Sequence, residues 1–233
     1  MRKKKWMSIL LLTTCSILLF GCGQAGKESA EKKSTEKETI ENSQAVEEVE
    51  EEQTAEEEAS EEQLAADPIG IHHAEITVEN YGTITVELDG DTAPISVQNF
   101  MDLAKEGFYD GLTFHRIIDG FMIQGGDPSG DGTGGAEHTI KGEFSSNGVK
   151  NDISHHTGVI SMARAYDPDS ASSQFFIMVA DAEYLDGEYA AFGHVTDGLD
   201  LVLQIAKDAE PIDGNGTIPK EKQPVITSIV ITD

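Results

Sequence analysis

Cysteine is nearly absent. The 233-residue chain has two, Cys15 and Cys22, both close to its start. Nothing after Cys22 carries a thiol, so a folded domain downstream gains no disulfide and must stand on its own core. Positive charge is scarce too: 16 Lys and Arg face 43 Asp and Glu, a net charge of -27. Residues 68–233 hold 27 acids and 8 bases, net -19, which argues against a nucleic-acid partner, since phosphate backbones demand basic surface. Long apolar runs are missing; the nearest, residues 6–20, is too short for a comfortable membrane span. Phosphate-loop chemistry is lacking, because Gly130-Asp131-Gly132-Thr133-Gly134-Gly135 has no Lys-Ser/Thr after it and no helix pattern follows. No Gly-x-Ser-x-Gly elbow occurs. Asp127, Ser129, Asp131 and Gly132 imitate the opening of a calcium loop, but its twelfth position is His138 and Glu137 stands one place early. His72-His73 and His155-His156 lie on or beside predicted strands, where neighbours point to opposite faces, so neither pair chelates one metal by itself. No metal and no cofactor are expected.

What the chain does have begins with an address. Arg2, Lys3, Lys4 and Lys5 precede the apolar residues 6–20, and Leu19-Phe20-Gly21-Cys22 closes that run. This is the order of a signal peptide. The closing tetrapeptide resembles a bacterial lipobox, whose cysteine is acylated on sulfur and becomes the first residue of the mature protein. Residues 1–21 are therefore expected to be removed, with Cys22 as the lipidation site. Residues 22–67 follow as an acidic tether. Residues 24–67 carry 16 acidic and 4 basic side chains and almost no large apolar ones. That is too little apolar area to offset the entropy of ordering, so a disordered, self-repelling segment is expected. Fully extended it reaches on the order of 140 Å at ~3.3 Å per residue. The expected location is the extracytoplasmic face of the cell membrane, held by lipid.

Residues 68–233 read as one domain with room for a sizeable core. Ala74-Glu75-Ile76-Thr77-Val78-Glu79 and Thr83-Ile84-Thr85-Val86-Glu87-Leu88 alternate apolar with polar, and Asn80-Tyr81-Gly82 between them predicts a hairpin. A helix follows. Pro94 suits its first turn, Asp91 and Thr92 offer capping oxygens, and Val97, Phe100, Met101, Ala104 and Phe108 recur at helical spacing until Gly107 ends it. Short strands are predicted at 158–163, 174–179 and 192–195, a second amphipathic helix at about 199–206, and a last strand at 225–231. Short, turn-bounded strands with two helices predict a mainly β fold: a closed antiparallel barrel, free of sheet edges, with helices over its ends.

The chain is organised around Phe114-His115-Arg116-Ile117-Ile118-Asp119-Gly120-Phe121-Met122-Ile123-Gln124-Gly125-Gly126, which reads as strand, turn, strand. By alternation Arg116 shares its side with Phe114 and Ile118. Phe121, Met122 and Gln124 come one turn later, so a guanidinium, an aromatic ring, a thioether and an amide are expected to converge. In an isolated strand such an arginine would be a snorkelling edge residue. The remaining segments favour a site.

Together with Gly132-Thr133-Gly134-Gly135, Ser161-Met162-Ala163, Ser173-Gln174-Phe175-Phe176 and Leu185-Asp186-Gly187, this stretch resembles the cyclophilin family of peptidyl-prolyl isomerases over nearly all of residues 74–233. The resemblance implies an eight-stranded barrel with two capping helices. It implies roles by position: Arg116 as the catalytic arginine, with Gln124 orienting the peptide. Phe121, Met122, Phe176 and Leu185 form the proline pocket. The backbone at Ala163 and Arg164 pairs with the substrate strand, and Tyr184 and Tyr189 stand at substrate-binding positions. The chain departs from the family where Trp is common at Tyr184, His at Tyr189 and Asn at Arg164. The implied activity is cis–trans isomerisation of Xaa-Pro bonds during folding of exported proteins. The partners would be proline-containing unfolded or exported chains, the protein a monomer. The chemistry suits an arginine. Rotation breaks amide resonance against a barrier of ~18–20 kcal/mol, and the proline nitrogen regains a lone pair at the twisted midpoint. The rival reading is a non-catalytic proline-peptide binding or chaperone module at the cell surface; a surface adhesin is another.

Overall fold

The computed structural model describes residues 70–233. The predicted signal peptide, Cys22 and the acidic tether lie outside the described residues. Strand β1 (Ile71–Val78) and strand β2 (Gly82–Asp89) form the predicted hairpin, paired antiparallel from Ile71↔Asp89 to Val78↔Gly82. Alternation decides what is buried: Ala74, Ile76 and Val78 from one strand, Ile84, Val86 and Leu88 from the other. At the turn Asn80 takes a φ of 65°, left-handed backbone that Asn tolerates better than most residues.

Helix α1 (Pro94–Lys105) buries Val97, Phe100, Met101 and Ala104, as their spacing predicts. Phe108 falls beyond its end. The cap differs from the expected one. Asp91 and Thr92 do not reach the helix's free N–H groups; their own N–H groups donate to Asp89. Ile95 and Ser96 donate instead to the carboxylate of Glu143, at 3.0 and 2.8 Å, from 48 and 47 residues away. A buried anion suits the positive end of the helix dipole.

The remaining elements are β3 (Phe114–Ile118), β4 (Met122–Gly125), β5 (Val159–Met162), β6 (Phe175–Met178), β7 (Ala191–Asp197), α2 (Leu199–Asp208) and β8 (Ile226–Ile231). The eight strands make one sheet in the order β3-β4-β6-β5-β7-β2-β1-β8, antiparallel throughout. The expected closed barrel is corrected here. The sheet is an open, curled half-barrel: among the described residues no ladder joins β3 to β8. Their flanks meet at the single bridge Thr113↔Val225, with Phe114 N–H donating to the Pro224 carbonyl at 3.0 Å. The outer edge of β3 is already taken. Ile117 N–H donates to Gly216 O at 2.8 Å and Ile218 N–H to His115 O at 3.0 Å, so the segment 216–218 lies along β3 as a strap. Gly216 (φ 85°) permits this approach: a Cβ there would stand 2.6 Å from the Ile117 oxygen.

One face of the sheet encloses the main core. There Phe100 and Tyr109 meet Phe175 edge to face, with centroids 5.4 and 5.6 Å away, a geometry the ring quadrupoles favour. Successive residues of β6 alternate, so Phe175 and Ile177 join that core. Phe176 and Met178 join a smaller apolar cluster on the opposite face with Met122 and Leu185.

Candidate active site

A bulge in β3 sets up the site. Phe114 pairs with Gly125 and Arg116 with Gln124, so two residues of β3 oppose one of β4. Alternation is broken there. Phe114 and Ile117 both enter the main core, while Ile118 packs against the smaller cluster. The expectation that Arg116 shares a side with Phe114 is thus wrong, because His115 takes up the extra place. Its imidazole is buried among groups that give its nitrogens no partner within the described residues. Burial also holds it below its usual pKa, against the pull of Asp127.

Directly opposed residues share a face. The register Arg116↔Gln124↔Phe176 therefore lines an arginine, an amide and a phenyl ring in one row across β3, β4 and β6. The guanidinium is held at three points, the weakest being Nη1 against Met122 Sδ at 3.8 Å. Its Nε–H donates to the Asn215 carbonyl at 2.8 Å, and Nη1 donates to Gln124 Oε1 at 3.1 Å. Nη2 has no hydrogen bond among the described residues. Cζ stands 6.0 Å from the centroid of Phe121, whose ring stacks at 6.2 Å on Tyr184. Burial lowers the pKa of Arg116, opposed by Tyr189, Asp213 and Tyr184; arginine starts so high that it remains a cation. Gln124 is fixed in turn, its Nε2 donating to Gln174 Oε1 at 2.9 Å. The Gln174 amide donates to the Gly134 carbonyl at 2.7 Å.

Beside this row Met122, Phe176 and Leu185 are buried in the smaller cluster, and Phe121, Ala163 and Tyr189 pack against it. Tyr189 meets Phe176 edge-on at 5.8 Å. Tyr184 is 72% exposed and forms the rim. A groove of about 320 Å³ continues past Gln124, lined by Gln174, Gly134, Ala163 and Arg164. The Ala163 N–H is already donated to Gln174 O at 2.9 Å, so a peptide strand would pair with other backbone groups here. The Arg164 side chain turns inward. Its Cζ lies 5.1 Å from the Phe144 centroid and 4.8 Å from that of Tyr189, and Nε donates to Glu188 O at 2.9 Å. Cys22, the predicted lipidation site, lies outside the described residues.

A row of Arg, Gln and Phe beside an apolar hollow can seat a ring and offer N–H donors to its edge. Comparison with known proteins decides the family. Residues 73–231 match the family model of the cyclophilin type peptidyl-prolyl cis-trans isomerase. The chain belongs to the cyclophilin family. A Helicobacter pylori peptidyl-prolyl cis-trans isomerase is 50% identical over 135 residues, covering 58% of this chain and 80% of that one. Peptidyl-prolyl cis-trans isomerase B of Bacillus subtilis is 44% identical over 144 residues, covering 62% and 92%. A crystal structure of a Cryptosporidium parvum cyclophilin type isomerase superposes with a TM-score of 0.62 at 31% identity, covering 70% of this chain and 99% of that one. The chain is accordingly a cyclophilin-type peptidyl-prolyl cis-trans isomerase, acting on proline-containing peptides.

Two parts of the site are given no role by the motifs that carry the rest. Gln174 orders the Gln124 amide; a polar residue heading the apolar run Phe175-Phe176-Ile177-Met178 was its signal. Asn215 holds Arg116 through a backbone carbonyl, which leaves no mark in a side-chain pattern.

Proposed function

We propose that Arg116 supplies the transition-state donor of this isomerase, that Phe121, Met122, Phe176 and Leu185 seat the proline ring, and that Gln124 restrains the peptide. The reading is supported by the fixed guanidinium. With Nε and Nη1 tied to Asn215 and Gln124, the cation faces the hollow without the cost of ordering a loose side chain. A planar Xaa-Pro amide offers its nitrogen little to accept with; the half-rotated bond offers a lone pair. A preset donor therefore favours the midpoint over either ground state. The apolar floor holds the ring while the other side of the bond turns. A solved Cryptosporidium parvum relative, described in the presence of the dipeptide Ala-Pro, agrees with such a substrate.

Relaxation of a cis-proline peptide tests the assignment. Arg116→Ala should lower kcat about a hundredfold, from loss of a charged hydrogen bond of ~2–3 kcal/mol, with KM changed far less. Equal rates in the two proteins would reject the role of Arg116.

The further parts of the proposal concern place. Leu19-Phe20-Gly21-Cys22 and the acidic residues that follow support a lipid anchor on the extracytoplasmic face, where the clients are exported polypeptides. Membrane fractionation of a Cys22→Ser variant tests the anchor.

A further inference from the structure

The Phe176 ring has a second ring behind it. His155 stacks on Phe176 with centroids 6.0 Å apart and planes 18° apart. Its imidazole is fully buried and bonded at both nitrogens: Nδ1 to Asp186 Oδ1 at 2.8 Å, Nε2 to Ser161 Oγ at 3.1 Å. Asp186 is fixed as well, accepting the His155 backbone N–H at 2.8 Å and the Ser154 hydroxyl at 2.6 Å. Burial acts to raise the Asp186 carboxyl, but these bonds outweigh it and hold the group below its ordinary pKa. An ionised carboxylate only accepts, so Nδ1 carries the proton and Nε2 accepts from Ser161. Burial keeps the imidazole below its usual pKa, though Asp186 pulls the other way.

Serine, histidine and aspartate bonded in this order resemble a hydrolase triad. Ser161 is nevertheless fully buried, and no substrate carbonyl can reach it. Its place in the sheet gives a different meaning. Ser161 is the direct partner of Phe176 across β5 and β6, so the row Arg116, Gln124, Phe176 continues to Ser161 and ends on His155. Phe176 thus has Tyr189 at its edge, Ser161 beside it and the imidazole against its face. A phenyl ring clamped in this way presents one surface to an incoming proline.

We propose that His155, held in one orientation by Asp186 and Ser161, is a positioning residue for the isomerase reaction, fixing the Phe176 ring that floors the proline pocket. The inference rests on the pocket role given to Phe176 above. A pocket floor touches the ring in the ground and transition states alike, so loosening it weakens binding in both. Its signature is a raised KM with kcat nearly unchanged, opposite to that of Arg116→Ala.

The test is steady-state isomerase kinetics of the full chain on a proline tetrapeptide, with folding followed by circular dichroism. His155→Ala should raise KM five- to tenfold while kcat stays within twofold. His155→Gln, which keeps a donor for Asp186 and an acceptor for Ser161, should recover at least half of that loss. If His155→Ala fails to fold, Ser161→Ala decides, with an expected rise of about threefold in KM. Wild-type KM in a folded His155→Ala protein, or in Ser161→Ala if only that folds, overturns the inference. Phe176→Ala separates the two levels. If it raises KM while the His155 variant does not, the positioning role alone falls; if neither does, the pocket reading falls and takes this inference with it.

Discussion

Arg116 has five N–H donors, and those on Nε and Nη1 hold it still. A lysine carries its three donors on one atom and cannot spread them as the planar fork that spans Asn215 and Gln124 here. The same economy runs outward to Gln174, whose amide fixes Gln124 and is fixed by the Gly132 and Gly134 carbonyls. Gln174→Leu frees the Gln124 amide to rotate. Isomerase kinetics should then show kcat/KM lower by about tenfold, some 1.4 kcal/mol. An unchanged value would show that Gln124 needs no such partner. Arg116, Phe121, Met122 and Gln124 were legible as a group because one short motif carries them all. The side Arg116 faces was not, because a bulge leaves no signature in apolar alternation.

At the scale of elements, the helix α1 shows how a local rule can be right about existence and wrong about the partner. The apolar spacing from Val97 to Ala104 fixes the helix and its buried face. Its N-terminal donors are met by Glu143, buried in a loop far along the chain, which also accepts the Ser96 hydroxyl at 2.7 Å. Glu143→Ala removes the side chain that accepts from those donors. Urea denaturation should show a loss of ~2–3 kcal/mol, with kcat intact in the folded fraction. A change under ~0.5 kcal/mol would mean that other groups cap the helix. Only three-dimensional proximity joins Glu143 to α1, so no reading of neighbours along the sequence could supply it.

For the whole molecule, the short alternating strands gave away a mainly β architecture, and Ile76, Val86, Phe100 and Ile229 lie in the core where their periodicity places them. Closure was not legible. It depends on what occupies the outer edge of β3, where the segment 216–218 stands in place of β8 and Gly216 allows the close approach. The proposed anchor belongs to this scale as well, since it decides where the acidic chain of net charge -27 works. In cells, wild-type protein should sediment with membranes and Cys22→Ser should appear in the soluble fraction. Continued acyl labelling of that variant would contradict Cys22 as the attachment point.

The unzipped seam beside β3 has a kinetic meaning. The strap 216–218, which follows the Asn215 carbonyl on the guanidinium, has no ladder of its own; backbone bonds to Ile117 and His115, a Gln223 side-chain bond and the burial of Ile218 in the main core fasten it. Lifting it costs one core side chain while every strand pair stays closed, less than global unfolding. On warming, isomerase activity should therefore fall before the cooperative melt followed by circular dichroism; loss of both at one temperature would show that the strap stays down until the whole fold goes.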